Sequence, residues 1–168
     1  MGPPEPGSDP QCAATARHLA ARSDLGTERP ALTIVTNALN IATELVLRPH
    51  IRTVSLGGVA RPSSYEVVGP LAHSVLQELW IDHLILGVDA LDVEAGASCF
   101  HEDEAAINAV MVQRARQVTV VTTSNKLGQR TFARICETSA LDRLVTDNSI
   151  PPEVTDAFRA HGTTVDIV

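Results

Sequence analysis

Aromatic side chains are scarce in this chain, 3% of its residues, with a single Trp and a single Tyr. A core without them has to be packed from Val, Ile, Leu and Ala, which suits helices laid on a parallel sheet. Basic clusters are missing too. The formal net charge is −7 and no run of Lys or Arg exceeds a pair, so the electrostatic footprint of a nucleic-acid-backbone binder is absent. Cysteine is limited to Cys12, Cys99 and Cys136. That odd number without close spacing excludes a disulfide framework and a thiolate zinc pattern, and leaves reduced thiols as the expectation. No apolar run approaches the roughly 20 residues of a membrane helix, and the N-terminus carries no basic-then-apolar signal segment. The expectation is a cytoplasmic protein with no membrane partner.

What is present is a repeating alternation. Hydrophobic residues make up 44% of 168, enough for one core in a single domain over residues 10–168. Residues 1–9, with Pro3, Pro4, Pro6, Gly2 and Gly7, are expected to be a disordered leader, because Pro lacks a donor and Gly is too free. A helix is expected over Pro10–Arg22 with Ala13, Ala16 and Ala20 on one face, then a polar connection over Ser23–Pro30 and a strand over Leu32–Thr36. Asn37 is the expected N-cap of a helix carrying Ala38, Ile41, Ala42 and Leu45, which Pro49 stops.

Arg52–Leu56 reads as a strand running into a Gly57-Gly58 turn, and Val68, Leu71, Ala72, Val75, Leu76 and Leu79 mark the next helix. After it come a strand over Asp82–Gly87, a helix over Glu102–Gln117, a strand over Val118–Thr123 and a short helix ending near Cys136. A strand over Asp142–Thr146, a helix over Pro151–His161 and a strand over Thr163–Val168 complete the chain. Strands alternating with helices imply right-handed βαβ crossovers and an α/β fold with a mainly parallel twisted sheet, helices on both faces.

In such a sheet ligands bind outside the carboxyl ends of the strands. Thr36-Asn37, Gly57-Gly58, Gly87-Val88-Asp89, Ser124-Asn125-Lys126 and Thr146-Asp147-Asn148 all stand at strand ends, so all are expected on one edge. Turn N–H groups, hydroxyls and a lone lysine suit an anion such as phosphate, while Asp89 and Glu104 suit sugar hydroxyls. Glu104 stands in line with Ile107, Met111 and Ala115, so a carboxylate heads an apolar stripe; Glu102 and Asp103 fall off it and complement the helix dipole. Cys99, His101, Glu102, Asp103 and Glu104 are metal-ligand types without the spacing of a zinc site, so no metal is expected.

Thr-Ile-Val-Thr-Asn37, Leu56-Gly-Gly58, Ser64-Tyr-Glu-Val-Val-Gly-Pro-Leu-Ala72, Leu86-Gly-Val-Asp-Ala-Leu-Asp92 with Gly96, Glu104 and Met111, Ser124-Asn-Lys126 with Gly128, and Leu144-Val-Thr-Asp147 occur in this order. From Leu32 onward the chain resembles the C-terminal effector-binding domain of DeoR-type bacterial transcriptional regulators. The resemblance implies a fold similar to ribose-5-phosphate isomerase and glucosamine-6-phosphate deaminase, used to sense phosphorylated sugars rather than to convert them, without a cofactor and in a homo-oligomer. It implies ligand-binding roles for Thr36, Asn37, Gly57, Gly58, Gly87, Asp89, Glu104 and Lys126. DNA contact is expected only through a winged helix-turn-helix that these 168 residues do not hold. The family's Asp-x-Gly-Thr-Thr loop has no counterpart in Gly7–Thr15, and Thr123 stands where the family usually has an Asp. Two alternatives remain. One is an isomerase- or deaminase-like enzyme with Asp89 or Glu104 as base and Lys126 on phosphate; the other is a degenerate partner domain that binds no ligand.

Overall fold

A computed structural model of the chain describes residues 10–21 and 32–168, apart from the side chain of Ala20. The expected leader and the first polar connection lie outside the described residues. The chain is a mixed α/β fold with parallel and antiparallel sheets flanked by helices. It divides into two compact units, one ending at Val75 and the other starting at Leu76.

The N-terminal unit contains α1 (Pro10–Ala21), β1 (Leu32–Thr36), α2 (Leu39–Leu45), β2 (Ile51–Ser55), β3 (Val59–Ala60), β4 (Val67–Val68) and most of α3 (Pro70–Gln77). β1 and β2 pair in parallel from Leu32 opposite Ile51 to Thr36 opposite Ser55. Ala13 and Ala16 of α1 form one buried cluster with Ile41, Leu45 and Ile51, the small-residue face expected from the sequence.

Two details differ from the sequence reading. Asn37 does not cap α2; Ala38 holds that position in an extended conformation, bridges to Glu66, and donates its N–H to Thr36 Oγ1 at 3.1 Å. The short hydroxyl two residues back satisfies the turn instead. Val68 does not start the third helix but lies in β4, paired antiparallel with Val59 of β3. Gly58 permits that hairpin: its φ is +144°, and a Cβ there would sit 2.5 Å from the Val68 carbonyl oxygen.

The C-terminal unit contains β5 (Leu84–Leu86), β6 (Ala90–Asp92), β7 (Gly96–Cys99), α4 (Glu102–Arg114), β8 (Val118–Val121), β9 (Ala133–Cys136), β10 (Arg143–Thr146), α5 (Pro152–Ala160) and β11 (Thr164–Ile167), with 3-10 turns at Ser124–Lys126 and Thr138–Ala140. Strands β11, β10, β8 and β5 form a parallel sheet in that order. Leu86, Val120, Leu144 and Val165 stand side by side in register and are all buried, so this row is the centre of the unit's core.

The rest of the unit corrects the expectation of a mainly parallel sheet, because β6, β7 and β9 form a separate antiparallel one. The short helix expected before Cys136 is strand β9, whose Cys136 and Ala133 pair with Ala97 and Cys99 of β7. Pairing with a distant strand overrides a local pattern of four residues. Helix α4 ends at Arg114 rather than Gln117, since Ala115 turns extended and bridges to Ile81.

Candidate functional site

Strands β5, β8 and β10 are parallel and end at Leu86, Val121 and Thr146, so the loops leaving their carboxyl ends lie on one edge of the C-terminal unit. After β8 the 3-10 turn Ser124–Lys126 presents Lys126, whose Nζ donates to the Val88 carbonyl at 2.8 Å. That turn is pinned from β10. Asp147 accepts from the Ser124 N–H at 2.7 Å, the Ser124 hydroxyl at 2.8 Å and the Ser149 N–H at 2.9 Å. Led by the Ser124 N–H bond, these donors stabilise the carboxylate and hold Asp147 down to about 2.

Next to Val88, Asp89 accepts the Phe100 N–H at 3.0 Å and donates its own N–H to the Ser98 carbonyl at 3.2 Å, which ties the end of β5 to β7. The ligating atoms of Asp89, Cys99 and Glu104 all lie within 4.8 Å of one another. Glu104 is half-buried in the first turn of α4, and Ile107 and Met111 below it are buried. It therefore heads the apolar stripe as the spacing predicts, while Glu102 and Asp103 are exposed. Ala115, the fourth member of the expected stripe, lies past the helix end. Cys99 donates its S–H to the His101 carbonyl at 3.3 Å.

The loop after Lys126 is tied to the antiparallel sheet at three points. Gly128 donates to the Leu91 carbonyl at 2.8 Å, Arg130 pairs with Asp92 at 3.0 Å, and the Thr131 N–H donates to Ser98 Oγ at 3.0 Å. Asp92 also takes the N–H groups of Ala95 and Glu94. Desolvation raises its pKa, but these donors and Arg130 outweigh it and leave Asp92 below its ordinary value.

The structure thus brings Asp89 and Glu104 together, with Lys126 on the carbonyl beside Asp89 and Gly87 at the end of β5. Thr36, Asn37, Gly57 and Gly58 belong to the N-terminal unit. There Thr36 and Asn37 are buried, Gly57 and Gly58 are exposed, and the Asn37 amide nitrogen has no acceptor among the described residues. Sequence reasoning placed Asp147 at a strand end without a role and treated Cys99 only as a possible ligand type. It placed Thr146 at a strand end but missed Thr122, and did not show that both hydroxyls are buried without a partner among the described residues; strand alternation past Val120 and Leu144 was the available signal.

Comparison with known proteins bears on the purpose of this arrangement. The model of the DeoR C terminal sensor domain matches residues 11–148, and so takes in α1, where the resemblance in the sequence began only at Leu32. The HTH-type transcriptional regulator GlpR of Haloferax volcanii is 35% identical over 132 residues, 78% of this chain and 51% of that protein. The uncharacterized HTH-type transcriptional regulator YulB of Bacillus subtilis is 31% identical over 121 residues, 72% of this chain and 47% of that protein. The glycerol-3-phosphate regulon repressor of Escherichia coli K12 is 25% identical over 130 residues, 77% and 52% respectively. The chain spans about half the length of the curated relatives it matches. These relatives are transcriptional regulators, not enzymes, and with most of its length matched the chain belongs to the family of DeoR C-terminal sensor domains.

Proposed function

We propose that this chain is the effector-sensing part of a DeoR-type transcriptional regulator and binds a phosphorylated sugar or polyol at the carboxyl edge of the C-terminal unit. The observation that carries the reading is the pairing of unlike groups there. The Asp89 and Glu104 carboxylates meet within 4.8 Å, and the Lys126 ammonium rests on Val88, next to Asp89. Carboxylates accept hydrogen bonds from sugar hydroxyls, and an ammonium at a strand end attracts phosphate. The name of the glycerol-3-phosphate regulon repressor is in keeping with a polyol phosphate. Control of DNA would reach the ligand through a helix-turn-helix outside these residues, in a homo-oligomer that couples two DNA-binding units.

Calorimetry against glycerol 3-phosphate, fructose 1-phosphate, ribose 5-phosphate and glucosamine 6-phosphate tests the proposal. At least one should bind, and Lys126→Ala should weaken it by about 10- to 100-fold, the worth of one charge-assisted hydrogen bond. A wild-type chain that binds none of the four rejects sensing of this class and leaves the role of a ligand-free partner domain, which the absence of the Asp-x-Gly-Thr-Thr loop would then explain.

A further inference from the structure

The C-terminal unit contains six buried threonines, and it treats two of them differently. Thr119 shares a hydrogen bond with His83 at 2.8 Å, Thr138 donates to the Val93 carbonyl at 2.7 Å, Thr155 to Pro151 at 3.4 Å and Thr163 to Leu141 at 3.3 Å. Thr122 and Thr146 are each 2% exposed, yet neither hydroxyl has a partner among the described residues. A buried hydroxyl without a hydrogen bond costs a fold stability, and native interiors rarely leave one unmatched. Two in the same place need a reason.

They are in the same place. Val121 stands opposite Val145 in the register of β8 and β10, and the Thr122 N–H donates to the Val145 carbonyl at 3.0 Å. One step further along both strands, Thr122 and Thr146 are neighbours, and alternation turns both to the face of Val120 and Leu144. Lys126 comes four residues after Thr122, on the turn that Asp147 pins beside Thr146.

We propose that Thr122 and Thr146 form a hydroxyl-binding subsite that takes the alcohol groups of the effector. A threonine hydroxyl both donates and accepts, so two side by side match a neutral polyol, whereas an anion would demand donors alone. Apolar, buried Val120 and Leu144 precede them on the same face. This inference rests on the sensing function proposed above and adds the residues that recognise the part of the ligand away from its phosphate. An alcohol offered to paired hydroxyls is discriminated strongly from an analogue that lacks it.

The test is Thr122→Val and Thr146→Val, which keep shape and remove the hydroxyl. In the free protein neither variant should melt below the wild type, because each loses a group that has no partner. Affinity for the phosphorylated polyol that binds the wild type best should fall about tenfold per hydroxyl, while affinity for inorganic phosphate alone stays unchanged. A lower melting temperature in both free variants would show the hydroxyls satisfied by structural water and overturn the proposal, as would unaltered polyol affinity. A wild type that binds none of the four phosphorylated compounds removes the sensing function and this subsite with it; wild-type binding with unaffected variants removes the subsite only.

Discussion

Replacing Gly96 by alanine should damage the antiparallel sheet β6–β7–β9 more than any surface change in the chain. Gly96 opens β7 with φ at +81°, and a Cβ built there would lie 2.0 Å from the Cys136 carbonyl oxygen and 2.8 Å from Glu137 Cα. The left-handed backbone alone costs a non-glycine residue about 1–2 kcal/mol. The overlap is with backbone atoms of β9 and its continuation, which cannot rotate away as a side chain could. To restore ordinary contact, β7 and β9 must part by about 1 Å in a close-packed interior, which strains the pairings of Ala97 with Cys136 and Cys99 with Ala133. Together these terms come to about 3–4 kcal/mol, or roughly 10 °C in melting temperature for a chain of this size. Thermal unfolding monitored by circular dichroism measures it. Gly57→Ala is the control, since nothing among the described residues lies within 4 Å of a Cβ at that position and the change should stay within about 0.5 kcal/mol. A Gly96→Ala protein that melts within about 2 °C of the wild type would refute the reasoning, because the close approach of β7 to β9 would then not exist.

Asp147→Asn tests the clasp on Ser124. The Asp147 pKa is lowered from 3.8 to about 2 by donors made in the folded state, so its stabilisation is full above the unfolded value and is lost as pH falls through the folded one. The melting-temperature gap between wild type and variant should therefore be constant above about pH 5 and close between about pH 4 and 2; a gap that varies between pH 6 and 8 would count against the clasp. Cys136 offers a second titration. Burial pushes its thiol up to about 11, so at pH 8 its alkylation by iodoacetamide, read peptide by peptide, should run about 100-fold slower than that of an ordinary thiol. A rate within about tenfold of free cysteine would contradict the half-buried placement of this thiol.

Of the candidate site, the positions of Asp89 and Lys126 were legible from residue order, because they come after strands whose apolar runs announce themselves and a parallel sheet sends every strand end to one edge. Glu104 was legible for a different reason, since helical period alone puts it above Ile107 and Met111, which are buried as that period requires. Asp147 could be placed at a strand end but not given its partner, as Ser124 lies 23 positions earlier and no pattern between them links the two. Cys99 joins the carboxylates only because β7 folds back on β6, and the sequence Gly-Ala-Ser-Cys carries no apolar run that marks β7 as a strand.

The order of the major elements, the aliphatic core, the carboxylates at the head of α4 and the lysine after β8 were determined by the sequence itself, through periods of two and of 3.6 residues that need no distant partner. Tertiary structure decided that Ala133–Cys136 is a strand and not a helix, that Val68 pairs with Val59, and that Thr122 and Thr146 are neighbours whose hydroxyls have no partner among the described residues. Each of those depends on a segment remote in the chain, and cross-strand pairing is a contact energy that no local window of residues contains.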